Sequence, residues 1–131
     1  MVSDNAFFDI SQIHRYGRNE RPENLTIYAA SDYATKDGAG DWTVHIIVGV
    51  DSNQELWVLD VWRQQSQSNV WVESAIDLMQ EWRPIRWFEE NSVINKSVGP
   101  FLVQRMKERG AFIPRSPVAV ATNKAARARS I

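Results

Sequence analysis

The sequence predicts an α/β domain with a mixed five-stranded sheet and flanking helices, and three observations carry this. Between residues 25 and 62, three runs rich in β-branched and aromatic residues are separated by turn-forming Gly, Asp, Ser and Asn. From Ser68 the apolar period changes to that of a helix. A fourth apolar run, Ile85-Arg86-Trp87-Phe88, begins where Pro84 ends that helix. Short turns favour antiparallel neighbours, whereas a helical crossover lets the next strand lie parallel to the first.

Taken in order, residues 1–24 are polar, with one apolar island at Phe7-Phe8-Asp9-Ile10 and Pro22 near their end, and they read as an arm or linker. Leu25 to Ser31 forms the first strand and closes on Asp32. The Gly and Asp content of Thr35 to Asp41 marks a turn, and Trp42 to Val50 follows as the second strand. Asp51-Ser52-Asn53-Gln54 turns the chain into a third strand, Glu55 to Trp62. The Ser68 hydroxyl is placed to cap a helix over 69–82, with Val72, Ala75, Ile76, Met79 and Trp82 on one face. Ile85 to Glu89, the fourth strand, shows little alternation, which suits a strand covered on both faces. A second helix is expected from between Ser97 and Pro100 to Gly110, since proline is tolerated in a first turn and glycine just past an end. A short strand at 111–113 and an Ala/Arg-rich helix from about Thr122 complete the reading. Three antiparallel strands, a helix, a parallel fourth strand, a helix and a fifth strand is the order of the ribonuclease H-like fold.

Composition narrows the function. With 131 residues, 44% of them hydrophobic, the chain suits one core-bearing domain, assigned to 25–131, and no stretch is long and apolar enough to span a bilayer. There is no cysteine, so disulfides and thiolate zinc sites are excluded, and the start of the chain lacks the pattern of a secretory signal. A soluble protein of a reducing cytoplasm is expected, with no membrane association. His14 and His45 are too far apart in sequence to suggest a histidine-based metal cluster. The net charge of -1 conceals an asymmetry: residues 1–95 carry 7 Lys+Arg against 15 Asp+Glu, whereas residues 96–131 carry 8 basic residues against Glu108 alone. A basic end beside an acidic body suits a phosphate backbone meeting a metal site.

The acidic part of such a site is visible. Asp32 closes the first strand, and Glu89-Glu90 closes the fourth, more than fifty residues later. An ionised carboxylate at the end of a buried strand is costly unless compensated, and a divalent cation shared with another carboxylate is one compensation. If strands one and four are parallel neighbours, these acids meet at adjacent C-terminal ends, at the usual strand spacing of ~4.8 Å. Side-chain alternation lets only one of Glu89 and Glu90 face Asp32. Asp41 is a weaker candidate for the outer shell of a metal, since it more readily serves to shape a turn. Lys96, Arg105, Lys107, Arg109, Arg115, Lys124, Arg127 and Arg129 are the candidate phosphate contacts, with Lys96, Lys124, Arg127 and Arg129 foremost. Trp42, Trp57, Trp62 and Trp82 are expected to pack in apolar clusters rather than to stack on bases.

The ordered set Tyr28-Ala29-Ala30-Ser31-Asp32-Tyr33-Ala34, Gly40-Asp41-Trp42-Thr43-Val44, Gly49-Val50-Asp51, Trp57-Val58-Leu59-Asp60 and Phe88-Glu89-Glu90-Asn91 resembles the C-terminal nuclease domain of tailed-phage terminase large subunits, prophage copies included. The likeness continues through Lys96-Ser97-Val98-Gly99-Pro100-Phe101-Leu102 and into residues 122–131. It implies a ribonuclease H-like endonuclease that cuts concatemeric viral double-stranded DNA during packaging, in the host-cell cytoplasm. By the same likeness Asp32 is the first-strand ligand bridging two Mg²⁺ or Mn²⁺ ions, and Glu89, through its spacing to Asn91, is the fourth-strand acid, with Glu90 held in reserve. The family's partners would be an ATPase domain, a small terminase subunit and the portal.

Two departures qualify the likeness. No G-x-x-x-x-G-K-[ST] segment is present, so the motor is not in this chain. Nothing after Glu108 is acidic, so the family's third metal-binding acid is missing, and the domain is expected to be incomplete at its C-terminus and weakly active or inactive. Another ribonuclease H-like nuclease, such as a resolvase or transposase core, and a non-catalytic DNA-binding or assembly module remain open alternatives.

Overall fold

A computed structural model describes residues 10–34, 42–90 and 93–118 of the chain. Its sheet is built from β1 (Thr26–Asp32), β2 (Thr43–Val50), β3 (Leu56–Gln64), β4 (Arg86–Glu90) and β5 (Arg115–Val118), in the order β3-β2-β1-β4-β5. β1, β2 and β3 form the antiparallel meander, and the crossover helix α1 (Ser68–Trp82) returns the chain so that β4 lies parallel to β1. Helix α2 (Val93–Arg109) then leads to β5, parallel to β4. This is the predicted mixed five-stranded architecture.

The core lies between one sheet face and both helices. Ala29, Ile47 and Trp87 from the sheet meet Trp71, Val72, Ala75 and Ile76 of α1 and Leu102 and Met106 of α2, all buried. Burial alternates along the strands: in β2, Thr43, His45, Ile47 and Gly49 are buried while the intervening Val44, Ile46, Val48 and Val50 are half-buried. β4 alternates too, with Trp87 and Glu89 buried and Arg86 exposed, so it is not the evenly covered strand its composition suggested. On the face away from the helices, Val58 and Val61 of the edge strand β3 are 49% and 53% exposed.

The two helices are joined by charge. Glu73 of α1 accepts from Arg105 and, at 2.9 Å, from Arg109 of α2, while Arg109 also reaches Asp77 at 2.7 Å. The Arg105 hydrogen bond is the chief cause that holds the Glu73 carboxyl below the usual carboxylate range. Arg105 and Arg109, expected among the phosphate contacts, are therefore engaged inside the protein.

Several boundaries differ from expectation. α1 begins at Ser68 itself, with Gln67 at the cap position and no side-chain capping bond. α2 starts at Val93 and carries Pro100 within it, so proline is not in its first turn. The fifth strand occupies 115–118 rather than 111–113: Ala111 and Ile113 are buried, but their N–H groups bond to the Met106 carbonyl and Met106 Sδ, which closes the helix end instead of extending the sheet. Part of the polar N-terminal segment packs on the domain, since Tyr16 donates to the Val58 carbonyl at 2.5 Å and sets its ring edge-on to Trp57. The helix expected from Thr122 lies outside the described residues.

One buried polar cluster supports the sheet behind the acids. His45 Nε2 lies 2.9 Å from the Trp71 carbonyl, so this nitrogen must carry the proton, and Nδ1 accepts from the Ser31 hydroxyl at 2.5 Å. Ser31 Oγ in turn accepts from Trp87 Nε1 at 2.7 Å. Burial lowers the His45 pKa to about 4. Because the folded value lies below that of the unfolded chain, the unfolded state binds the extra proton, and stability present above about pH 6.5 declines as the pH falls towards 4. The loss is on the order of 3 kcal/mol for this group. Thermal unfolding followed from pH 7 to pH 4 is expected to show it, and a His45→Gln variant should flatten that part of the profile.

Candidate metal and nucleic-acid site

The pairing of β1 with β4 decides which acids meet. Ser31 stands opposite Glu89, so one residue further along both strands Asp32 comes level with Glu90. Residues in step on parallel strands point to the same face. Ser31 and Glu89 are buried on the helix-covered face, whereas Asp32 is exposed and Glu90 half-buried on the other. The sequence reading joined Asp32 to Glu89. The register instead puts those two one residue out of step and makes Glu90 the acid that shares a face with Asp32, with backbones one strand spacing of ~4.8 Å apart.

Glu89 has a different environment. Its side chain is 1% exposed, its Oε1 lies 2.7 Å from Arg115 Nε, and its Oε2 accepts the hydroxyl proton of Tyr33. Burial and then the Glu89 charge push the Tyr33 phenol far above its ordinary pKa, so it stays protonated and donates. The Tyr33 ring also stacks on Trp71 of α1 at 4.4 Å. One buried carboxylate thus ties the end of β1 to β4 and β5, and Arg115 offsets its charge. Arg115, another expected phosphate contact, is consequently turned inward.

The remaining candidates divide in two. Lys96 sits exposed early in α2, the element that follows Glu90, and so stays at the acidic end of the sheet. Asp41, Lys124, Arg127 and Arg129 lie outside the described residues. Among the described residues no three His, Cys, Asp or Glu side chains form a group able to hold a metal ion. Asp32 and Glu90 nevertheless supply hard oxygen donors at adjacent strand ends, which suits part of the shell of Mg²⁺ or Mn²⁺, the rest falling to water or phosphate oxygen.

Sequence reasoning missed the parts that Ser31, Tyr33, His45 and Arg115 play in holding the strand ends. Ser31 and Tyr33 flank Asp32, and alternation alone would have turned both to the face opposite it. Arg115 left no comparable signal, because its pairing with Glu89 depends on the placement of a four-residue edge strand.

No protein-family model matches the chain, and no curated protein matches it. Among solved structures it is similar to T. thermophilus RuvC in complex with Holliday junction substrate, with a TM-score of 0.50 and 12% identity over 72% of this chain and 66% of that one. Fowlpox virus Holliday junction resolvase superposes with a TM-score of 0.46 both with its substrate junction DNA and alone, at 9% and 13% identity; each match covers 79% of this chain, and 68% and 70% of the resolvase chains. The chain spans about two thirds of the length of RuvC. Strand order, pairing directions and this likeness agree on the ribonuclease H-like fold.

Proposed function

We propose that this chain is a divalent-metal-dependent DNA endonuclease domain of the terminase large-subunit type. The observation that carries the reading is the placement of Asp32 and Glu90 on one sheet face at the C-terminal ends of two adjacent parallel strands, where carboxylates far apart in sequence can share a cation. Asp32 and Glu90 would hold the cation, while Glu89 with Tyr33 and Arg115 holds the strand ends in place. A bound Mg²⁺ or Mn²⁺ pair would acidify the attacking water and stabilise the leaving 3′ oxygen of a phosphodiester. Lys96 would contact the DNA backbone, and Lys124, Arg127 and Arg129 join it in the same proposal. The terminase assignment rests on the ordered motifs from Tyr28 to Leu102, and from it follow concatemeric viral DNA as substrate and an ATPase domain, a small subunit and the portal as partners.

A junction-resolving nuclease is the second reading, favoured by the likeness to RuvC, a protein seen bound to a Holliday junction. The two separate on substrate. In Mn²⁺, a terminase-type domain is expected to cut linear and supercoiled duplex without preferring a branch, slowly, since no third acid joins the pair among the described residues. Selective cutting of a four-way junction would move the assignment to the second reading. Failure to cut any of these DNAs together with failure to bind Mn²⁺ would leave a DNA-binding or assembly module and sink the nuclease proposal.

A further inference from the structure

Two side chains on the face that carries Asp32 and Glu90 have no role in the acidic site. Arg63 of β3 is exposed, and its guanidinium carbon lies 3.9 Å from the centroid of the Trp42 ring. Trp42, expected to pack in an apolar cluster, is 42% exposed. Register puts them in line with the acids: Asp32 pairs with Val44, Val44 with Arg63, and Glu90 with Val118. One row therefore crosses the sheet as Arg63, Val44, Asp32, Glu90 and Val118, all pointing to the face away from α1 and α2.

A bulge sets this arrangement. Val48 pairs with Val58 but Ile47 pairs with Asp60, so Leu59 is the extra residue in β3. Without it, Trp62 would stand opposite Val44 and Arg63 opposite Thr43, turned towards the helices. With it, Trp62 stacks on buried His45 at 5.1 Å and Arg63 emerges on the acid face. Re-aiming a side chain in this way is a recurrent use of bulges beside functional sites.

We infer that Arg63 and Trp42 form a DNA strand-binding subsite next to the acid pair, in which the guanidinium contacts a backbone phosphate and the indole packs on a base or sugar. The inference rests on the nuclease reading above and adds to it where the strand runs. Arg63 lies two strand spacings from Asp32, about 10 Å, which matches the axial rise of about three nucleotides of one DNA strand at 3.4 Å each. A planar cation against an indole offers both interactions that hold a nucleic-acid strand without reading its sequence, namely charge and stacking. The acids repel phosphate until a cation neutralises them, so a cation fixed in their row supplies attraction where it is needed.

The test is the affinity of the full chain for short fluorescein-labelled DNA, single-stranded and duplex, measured by anisotropy in EDTA over a range of KCl concentrations. Arg63→Ala and Trp42→Ala are each expected to weaken binding at least about fivefold. Arg63→Ala should also reduce the slope of log affinity against log salt on duplex by about 0.9, the signature of one lost phosphate contact, while Trp42→Ala leaves the slope unchanged. Mn²⁺ binding measured by calorimetry should persist in both. If Arg63→Ala does not fold, Arg63→Lys serves instead and is expected to keep the slope while losing affinity. Folded variants with wild-type affinity and slope would overturn the inference and leave a surface contact at a hairpin end. Mn²⁺ bound through Asp32 without any DNA binding would overturn it while sparing the metal reading. Arg63-dependent DNA binding without Mn²⁺ binding would uphold it and remove the nuclease claim instead.

Discussion

Asp32→Asn is expected to abolish Mn²⁺ binding to the chain, together with any strand cutting. Asparagine preserves size but removes the charge that a hard cation requires, and Asp32 stands exposed at its strand end. The loss should exceed the roughly 10–100-fold that follows when an outer partner of a metal ligand is removed. Glu90→Gln is expected to have an effect of the same kind, because Glu90 is level with Asp32 on the same face. Glu89→Gln is the informative contrast. Its carboxylate is already matched by Arg115 and Tyr33, so Mn²⁺ affinity should change by less than that 10–100-fold range. Isothermal titration of the three variants separates the two acids, and equal loss in Glu89→Gln with none in Glu90→Gln would return the role to Glu89.

Arg115→Ala is expected to produce the largest loss of stability, about 3 kcal/mol, because it strands a carboxylate whose side chain is 1% exposed. For a domain of this size the midpoint of thermal unfolding should fall on the order of 10 °C. Adding Glu89→Gln to Arg115→Ala should recover part of the loss, since a neutral amide no longer needs a countercharge and its carbonyl still accepts from Tyr33. Circular dichroism melts of the single and double variants check this. A double variant no more stable than Arg115→Ala would mean that Arg115 acts through packing and not through the charge of Glu89.

How far the sequence carried depended on the range of the information each feature needs. The meander, the crossover helix and the parallel fourth strand follow from local periodicity and turn residues, and they appear in the structure in the expected order. The place of Asp32 at the end of the first strand was legible because it ends an apolar run. Which of Glu89 and Glu90 shares its face was not, since that turns on a register between strands more than fifty residues apart, and one residue of slip exchanges the faces. Arg63 was hidden for the same reason, through the extra residue Leu59. β5 was misplaced because Ala111 and Ile113 are apolar and buried, which alone does not distinguish a helix-end contact from a strand, while Pro117, which lacks an N–H donor, weakens the strand pattern of the segment that does pair.

In the proposed site a divalent cation binds between the C-terminal ends of β1 and β4 on the face away from the helices. Paramagnetic broadening by Mn²⁺ in the ¹H–¹⁵N spectrum of the chain tests it most directly. Sparing addition of Mn²⁺ should broaden first the amides of Asp32, Glu90 and Val44, leave those of Asp51 and Glu55 at the opposite end of the sheet sharp, and lose this pattern in Asp32→Asn. Broadening centred elsewhere, or a pattern that survives in Asp32→Asn, would contradict it.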